Sequence, residues 1–494
     1  MTDGIAEQTH NTENVKRKTI SGTLWSILER YSNQVISFVV MVLMARVLTP
    51  SDYGLVGMIT IYIYIAQSLV DCGFSQALIR KLDRDETDNS TTFYFNIGVG
   101  IVIYLIMWFT APLLADFYGQ PILVTITRII CTAIIFNSLV VVQRTILTVN
   151  MDFKTQAKAT LIANIVSGGA GIAMAYTGFG VWSIVAYQFI NSSLNCIVLW
   201  IVAKWRPRLV YSWNSFKELF GFGSKLALSG FIQTLYSNAY IMVIGKVYKS
   251  ADLGFYTRAT QFVYFFSNNL SPVLQRVSYP VLCRYQDSPK ELADKFLKFL
   301  RIFSFVMFAL MMGVAGLAKP MILALLNSDW LFTAVLIQIL CIGLMWHWVY
   351  SINLNILLVK GRSDLFLKLE IVKKIIFVGV LFATLPFGMK AICWGQVLNS
   401  FLEVGINSFY TRRLLGVGIL KQLRVLLPSL LIGVSTGAVV YLFTEMVELN
   451  NWAELFLGMA VGISYLCAVS FLTRNYEFME LLKLAGNKLK RKSV

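Results

Sequence analysis

Long apolar runs recur along this chain, separated by short polar connections. A run of roughly 20 mainly apolar residues is enough to carry a helix across a bilayer. Fourteen such runs can be drawn, at 20–45, 53–78, 91–114, 121–147, 159–177, 180–203, 222–245, 253–282, 299–318, 331–358, 365–386, 389–411, 422–444 and 452–473. Runs of this length suit helices, which satisfy their own backbone polar groups where no water can. The predicted fold is therefore an all-α polytopic membrane protein with about fourteen transmembrane helices. The first run is too long for a cleaved signal peptide and no small-residue cleavage site follows it, so residues 1–19 read as a short polar tail.

Four of the runs carry polar residues at the helical period. The first has Ser26, Arg30, Asn33 and Ser37, and the second Thr60, Tyr64, Gln67 and Asp71. The seventh has Lys225, Ser229, Gln233, Tyr236, Ser237 and Tyr240, and the eighth Arg258, Gln261, Tyr264, Asn268, Ser271 and Gln275. Lipid cannot satisfy such stripes, so they either bind helices to one another or line a wet space. Four stripes together favour a cavity.

Composition agrees with the pattern: a mean hydropathy of +0.66 and 57% hydrophobic residues exclude an ordinary soluble domain. The net charge of +17 suggests nucleic acid until it is mapped onto the connections. With the amino terminus inside, thirty Lys and Arg fall in inner segments and five in outer ones, namely Arg46, Lys246, Lys249, Lys319 and Lys390. By the positive-inside rule both termini are cytoplasmic, the basicity is topological, and nucleic acid is not an expected partner.

Eight basic residues remain within the spans or at their ends: Arg30, Arg128, Arg144, Lys225, Arg258, Arg276, Lys373 and Lys374. They face four acids, Glu29, Asp71, Glu370 and Glu403. A charge at mid-bilayer costs about 2.5–3.5 kcal/mol, so such residues turn toward a bundle interior or a wet cavity. Arg144, Arg276 and Lys225 lie near cytoplasmic ends and read first as paired or snorkelling side chains. Lys373 and Lys374 follow Glu370 at helical spacing, which suits a local ion pair. Arg30 and Arg258 are the stronger candidates for a ligand.

The segment Arg46-Val47-Leu48-Thr49-Pro50-Ser51-Asp52-Tyr53-Gly54 matches Lys246-Val247-Tyr248-Lys249-Ser250-Ala251-Asp252-Leu253-Gly254 at a constant offset that also pairs Thr60 with Thr260 and Tyr64 with Tyr264. Six runs separate the copies, so the repeat is parallel, about an axis along the membrane normal. The expected layout is a tail (1–19), a six-helix bundle (20–203), a basic cytoplasmic linker (204–221), a second six-helix bundle (222–411), two further helices (422–473) and a basic cytoplasmic tail (474–494). Within the linker, Trp213 to Phe222 has the pattern of a short amphipathic helix lying on the inner surface.

Enzyme signatures are missing. The two histidines, His10 and His347, cannot form a metal cluster, the seven cysteines include no CxxC pair, and no phosphate-binding loop occurs. His347 reads as a hydrogen-bonded interior residue. No metal or cofactor is expected. The outer loops are too short for a membrane polymerase, and no segment has room for a nucleotide-sugar domain. A transporter is the expected class.

The opening Ser21-Gly22-Thr23-Leu24-Trp25, with Ala45-Arg46-Val47-Leu48-Thr49-Pro50-Ser51-Asp52-Tyr53-Gly54 and Asp71-Cys72-Gly73-Phe74-Ser75-Gln76-Ala77-Leu78-Ile79, resembles the start of the Wzx-type polysaccharide transporters. These belong to the MOP superfamily, with the multidrug and toxin extrusion (MATE) carriers and the lipid II flippases. The resemblance implies a flippase, not an enzyme, in the bacterial inner membrane, moving an undecaprenyl-diphosphate-linked oligosaccharide outward for O-antigen, capsule or exopolysaccharide assembly. It also implies a cavity lined by spans 1, 2, 7 and 8. Arginine suits a diphosphate because its planar fork donates paired hydrogen bonds. The diphosphate candidates are Arg30 and Arg258, then Lys225, Arg276 and Arg128; those for the sugars are Asn33, Tyr64, Gln67, Gln233, Tyr236, Tyr264 and Asn268. Two negative charges moving outward would gain about 4.6 kcal/mol per 100 mV. Proton or sodium coupling is an open alternative, for which Glu29 and Asp71 are candidates unless they only neutralise Arg30. Other partners implied are membrane lipids and polysaccharide polymerase machinery. A lipid II flippase and a MATE-type multidrug antiporter are the rival readings.

Overall fold

The computed structural model describes residues 25–483 except Ile27, Cys72 and Leu82, and omits the side chains of Asp71, Phe222 and residues 268–273. The amino-terminal tail, the start of the first expected span and the end of the basic carboxy-terminal tail lie outside the described residues, as do the side chains of Asp71 and Asn268.

Among the described residues the regular structure is helical, with no strand. The first half runs α1 (28–45), α2 (Pro50–Asp71), α3 (Phe74–Arg80), α4 (Glu86–Tyr118), α5 (Leu123–Ile130), α6 (Thr132–Ser138), α7 (Val141–Val149), α8 (Phe153–Tyr176), α9 (Val181–Val202), α10 (Trp213–Ser237) and α11 (Ala239–Val247). Then follow α12 (Ser250–Arg284), α13 (Pro289–Gly316), α14 (Ala318–Leu325), α15 (Leu331–Leu344), α16 (His347–Val359), α17 (Ser363–Thr384), α18 (Met389–Leu415), α19 (Ile419–Met446) and α20 (Asn451–Leu472).

Eight helical segments among the described residues are long and apolar enough to cross a membrane, or nine if the bent pair Leu123–Ser138 and Val141–Val149 is one span. The protein is thus a multi-pass membrane protein. The shortfall against fourteen has a physical cause. The expected spans at 222–245, 253–282, 365–386 and 389–411 coincide with α10–α11, α12, α17 and α18. These helices carry Lys225, Arg258, Glu370, Lys373 and Glu403 together with many amides and hydroxyls, which lowers their hydropathy.

Packing divides the chain into two compact units, Met1–Gly254 and Phe255–Val494. In the first, α8 pairs with α9, α4 packs on α5 and α6, and α10 and α11 pack on α2 and α3. Its core includes the fully buried Met58, Ile59, Leu123, Ile126 and Ile130. In the second, α13 lies along α19 and α15 along α18 around Phe296, Phe308, Trp330 and Trp348, all without exposure. A buried amide pair ties α16 to α19 there: Asn353 Nδ2 donates to Gln422 Oε1 at 2.8 Å, and Gln422 Nε2 to Asn353 Oδ1 at 2.9 Å. The ion pair expected within α17 forms between the buried Lys373 and Glu370. His347 Nδ1 lies 2.5 Å from the Tyr350 hydroxyl, a hydrogen-bonded, half-buried position.

The stretch from Trp213 to Phe222 does not form a helix of its own. It is the opening of α10, started by Ser212, whose hydroxyl accepts from the Ser215 amide at 3.4 Å. Phe216 and the buried Leu219 pack against Phe74 and Phe93. Lys81 bridges Glu218 at 2.9 Å and Asp88 at 3.0 Å, and these contacts, that with Glu218 first, hold its ammonium above the usual lysine range. The linker before α10 is fixed by the Ser90 and Thr91 hydroxyls, which accept from the Arg208 and Ser212 amides at 3.0 Å each.

The sequence repeat appears as a reciprocal contact inside the first unit. A Cβ added at Gly54 would overlap the carbonyl oxygen of Ser250, and one at Gly254 would overlap that of Pro50. Gly54 and Gly254 are equivalent repeat positions, as are Pro50 and Ser250, so each copy's glycine receives the other copy's turn. Such mutual seating is the property of two-fold-related segments. The Ser51 and Ser250 hydroxyls meet beside it at 2.7 Å. Gly54→Val and Gly254→Val are each expected to cost about 1–3 kcal/mol or more by overpacking, whereas Gly98→Val, with nothing within 4 Å, should be tolerated. Melting temperatures of the purified variants in detergent test this; equal values for all three would refute the contact.

Candidate functional site: a polar cleft at a broken helix

The second expected span is broken. Gly73, between α2 and α3, has φ +66°, in the left-handed region that favours glycine. A Cβ there would lie 2.7 Å from the Gly223 carbonyl oxygen and 2.9 Å from Leu226 Cβ, so glycine also admits α10 against the break. Phe74 anchors α3 beyond it, with no exposure and its ring centroid 4.8 Å from that of Phe95. Non-helical backbone at membrane depth is tolerated where it is buried in protein or lines a wet cavity, and this break divides Ser75 and Gln76 between two recesses.

The larger recess, about 570 Å³, lies between α2–α3 and α10. Tyr64, Gln67, Ser68 and Gln76 line one side, and Ser229, Gln233, Thr234 and Ser237 the other. Among the described residues that line it there is no charged side chain. Amides and hydroxyls both donate and accept, and Tyr64 adds an aromatic face, so the cleft suits a neutral, polyhydroxylated ligand. Gln233 Nε2 donates to Ser237 Oγ at 3.2 Å, which orients that wall.

The smaller recess, about 270 Å³, adjoins it through Gln67. It is lined by Val70 of α2, Ser75 of α3, Ile134 and Asn137 of α6, and Val141 and Arg144 of α7. The α5–α6 segment and α7 meet at a 41° bend, so this recess lies between two broken spans. Arg144 Nη2 donates to Asn195 Oδ1 on α9 at 2.6 Å.

The structure brings Tyr64, Gln67 and Gln233 together in the larger cleft and disperses the other candidates. Lys225 is exposed and Tyr236 half-buried on α10, outside the residues that line the cleft. Arg30 is exposed on α1. Asn33 accepts from Asn164 Nδ2 at 2.9 Å, and Asn191 Nδ2 donates to Asn164 Oδ1 at 2.5 Å, an amide chain that joins α1, α8 and α9. Glu29 accepts from Thr160 Oγ1 at 3.4 Å and lies within electrostatic reach of Arg144. Arg128 sits over the Trp108 ring, 4.5 Å from its centroid. On α12, in the second unit, Arg258 is half-buried, and Tyr264 and Arg276 are exposed. The repeat partners Tyr64 and Tyr264 are exposed alike, at 47% and 41%. Among the described residues no group of three His, Cys, Asp or Glu could hold a metal.

Gln76, Ser68, Thr234 and Asn137 line the recesses without standing out in the sequence pattern, and Arg144, which reads from sequence as a paired or snorkelling side chain, lines the smaller one. Gln76 lies beyond the break at Gly73 and outside the Thr60–Asp71 stripe. The glycine within Asp71-Cys72-Gly73-Phe74 is the sequence signal that could have found it.

A multi-pass bundle of membrane helices with a polar cleft at a broken helix defines a membrane transporter architecture. The chain belongs to the family described as polysaccharide biosynthesis protein, matched over residues 43–335. It is 25% identical over 471 residues to the teichuronic acid biosynthesis protein TuaB of Bacillus subtilis, covering 94% of this chain and 96% of that one. It is 22% identical over 446 residues to the lipopolysaccharide biosynthesis protein WzxC of Escherichia coli, covering 86% and 89%. Its fold resembles that of the lipid II flippase MurJ in an inward closed conformation, with a TM-score of 0.72, 18% identity, and 92% and 99% coverage. An inward-facing multidrug resistance MATE family transporter of the MOP superfamily gives a TM-score of 0.60 at 13% identity, with 78% and 94% coverage.

A wet cleft should be reachable by solutes. In a background without native cysteines, Gln67→Cys and Gln233→Cys are expected to react with a membrane-impermeant thiol reagent. Ser167→Cys, at a fully buried position, should stay unmodified. Equal labelling at all three positions would exclude the cleft.

Proposed function

We propose that the protein is a flippase that moves undecaprenyl-diphosphate-linked oligosaccharide repeat units from the cytoplasmic to the periplasmic leaflet of a bacterial inner membrane, by alternating access. The observation that carries this reading is a cleft lined by amides and hydroxyls among membrane helices, in a chain of the polysaccharide biosynthesis protein family. A sugar chain offers hydroxyls that such a lining can match. The lipid tail stays in the bilayer while the head crosses.

The proposal includes fourteen spans, cytoplasmic termini, and bundles at 20–203 and 222–411 with the helices of 422–473 appended. It assigns the sugars to Tyr64, Gln67 and Gln233, with Tyr236, Tyr264 and Asn268 as further contacts, and the diphosphate to Arg30 and Arg258. Glu29 and Asp71 are kept as candidates for coupling to a proton or sodium ion. Delivery of the flipped unit to a polymerase follows from the substrate.

Lipid II flipping is the second reading, supported by the fold likeness to MurJ. A multidrug antiporter fits less well, because organic cations call for carboxylates and the described residues that line the cleft include none.

The test is translocation in proteoliposomes loaded with an undecaprenyl-diphosphate oligosaccharide, with lipid II and a cationic dye in parallel. The wild type is expected to move the oligosaccharide lipid. Gln67→Ala and Gln233→Ala should each slow it about fivefold, the loss of roughly 1 kcal/mol of hydrogen bonding. Arg30→Ala and Arg258→Ala should each slow it about tenfold or more, as loss of a charged hydrogen bond of roughly 1.5–3 kcal/mol. Preference for lipid II would select the second reading, and dye export without lipid movement would overturn both.

A further inference from the structure

The geometry points to Arg144 as an anion-binding residue, with the smaller recess as the place where a phosphate of the substrate's diphosphate is held. The inference rests on the flippase reading for its substrate, and its test is chosen so that the two can fail separately.

Arg144 lies at the meeting of two broken spans. Val70 precedes and Ser75 follows the break in the second span, while Asn137 precedes and Val141 follows the bend in the fourth; all four line the recess with Arg144. At about 30 Å³ per water, 270 Å³ is roughly nine water volumes. That is a hydrated recess, roomy enough for a phosphate group. Gln67, Ser75 and Asn137 contribute neutral donors around it.

The arginine is held from behind and open in front. A guanidinium has five N–H donors. One nitrogen, Nη2, is engaged by Asn195 Oδ1 at 2.6 Å, a neutral acceptor. The backbone is fixed as well: the Arg144 carbonyl accepts from Thr148 Oγ1 at 2.8 Å and from Gln156 Nε2 at 3.3 Å. Among the described residues no carboxylate lies within ion-pair distance of Arg144, and the residue is exposed and lines the recess. Glu29 is near enough to feel the charge, but its Oε1 is met by Thr160 Oγ1. A fixed guanidinium with spare donors in a wet recess inside a membrane unit is built to receive an oxyanion in paired hydrogen bonds.

The recess shares Gln67 with the neutral cleft. A head group placed across Gln67 would put phosphate against Arg144 and sugar against Gln233 and Tyr64, matching a charged linkage followed by a neutral glycan.

The experiment measures binding of two probes to the full chain in nanodiscs of neutral phosphatidylcholine: inorganic pyrophosphate, and undecaprenyl diphosphate with undecaprenol as its phosphate-free control. For wild type, pyrophosphate or undecaprenyl diphosphate is expected to bind with an affinity that falls as salt is raised. Arg144→Gln should weaken that binding tenfold or more and leave undecaprenol unchanged. Arg144→Lys, which keeps the charge but loses the fork, should fall between; it serves as the test if the glutamine variant does not insert, and wild-type affinity in the lysine variant would then overturn the assignment. Loss with undecaprenyl diphosphate alone would mean that the phosphate must arrive on lipid, and loss with both would mean that free phosphate suffices. Equal binding of both anions by wild type and variants overturns the role of Arg144, as does an equal loss of undecaprenol. Failure of the flippase reading looks different: wild type moves no oligosaccharide lipid, yet anion binding still depends on Arg144.

Discussion

The constraint on which this structure depends is that a polar group inside a bilayer must find its partner within the protein. Two answers to it are seen among the described residues. In the amide chain of Asn33, Asn164 and Asn191, and in the pair of Asn353 and Gln422, polar side chains satisfy one another and bind helices together. Around α2, α3 and α10 the amides and hydroxyls of Gln67, Gln76, Ser229 and Thr234 line a cleft. The same residue types thus serve cohesion in one place and access in another, and what separates the two is whether a neighbouring helix comes close enough to complete the hydrogen bond.

Backbone breaks decide where helices cannot come close. Gly73 takes a left-handed conformation that ends α2, and its lack of a side chain leaves room for the Gly223 backbone of α10, which a Cβ there would overlap. Beyond the break α3 is pinned by Phe74 among Phe95 and Phe216, and the Lys81 bridges to Asp88 and Glu218 fasten the start of α10 to the start of α4. The reciprocal seating of Gly54 and Gly254 fixes the other end of α2. Held at both ends and broken between, the second span presents Tyr64 and Gln67 from one side of the break and Gln76 from the other.

Charge follows the same logic. Basic residues that can pair locally do so, as Lys373 does with Glu370, and those near aromatic faces lean on them, as Arg128 does on Trp108. Arg144 is different in that its fixed partner is a neutral amide. The cleft of amides and hydroxyls and the recess beside it that Arg144 lines lie in one unit and share Gln67.

The sequence by itself determined the helical class, the multi-pass character and the presence of polar faces, because hydropathy and the 3.6-residue period are properties of local chain and solvent. It also contained Tyr64, Gln67 and Gln233 as cleft residues, since their period places them on one face. Only the tertiary structure decided which polar residues are satisfied: Asn33 and Gln67 look alike in a helical stripe, yet one meets Asn164 and the other faces open space. It likewise revealed Gln76, beyond the break at Gly73, and placed Arg144, which reads from sequence as a paired or snorkelling side chain, on Asn195 at the edge of the smaller recess. Partners distant in sequence settle these cases, and a local pattern contains no distances between helices.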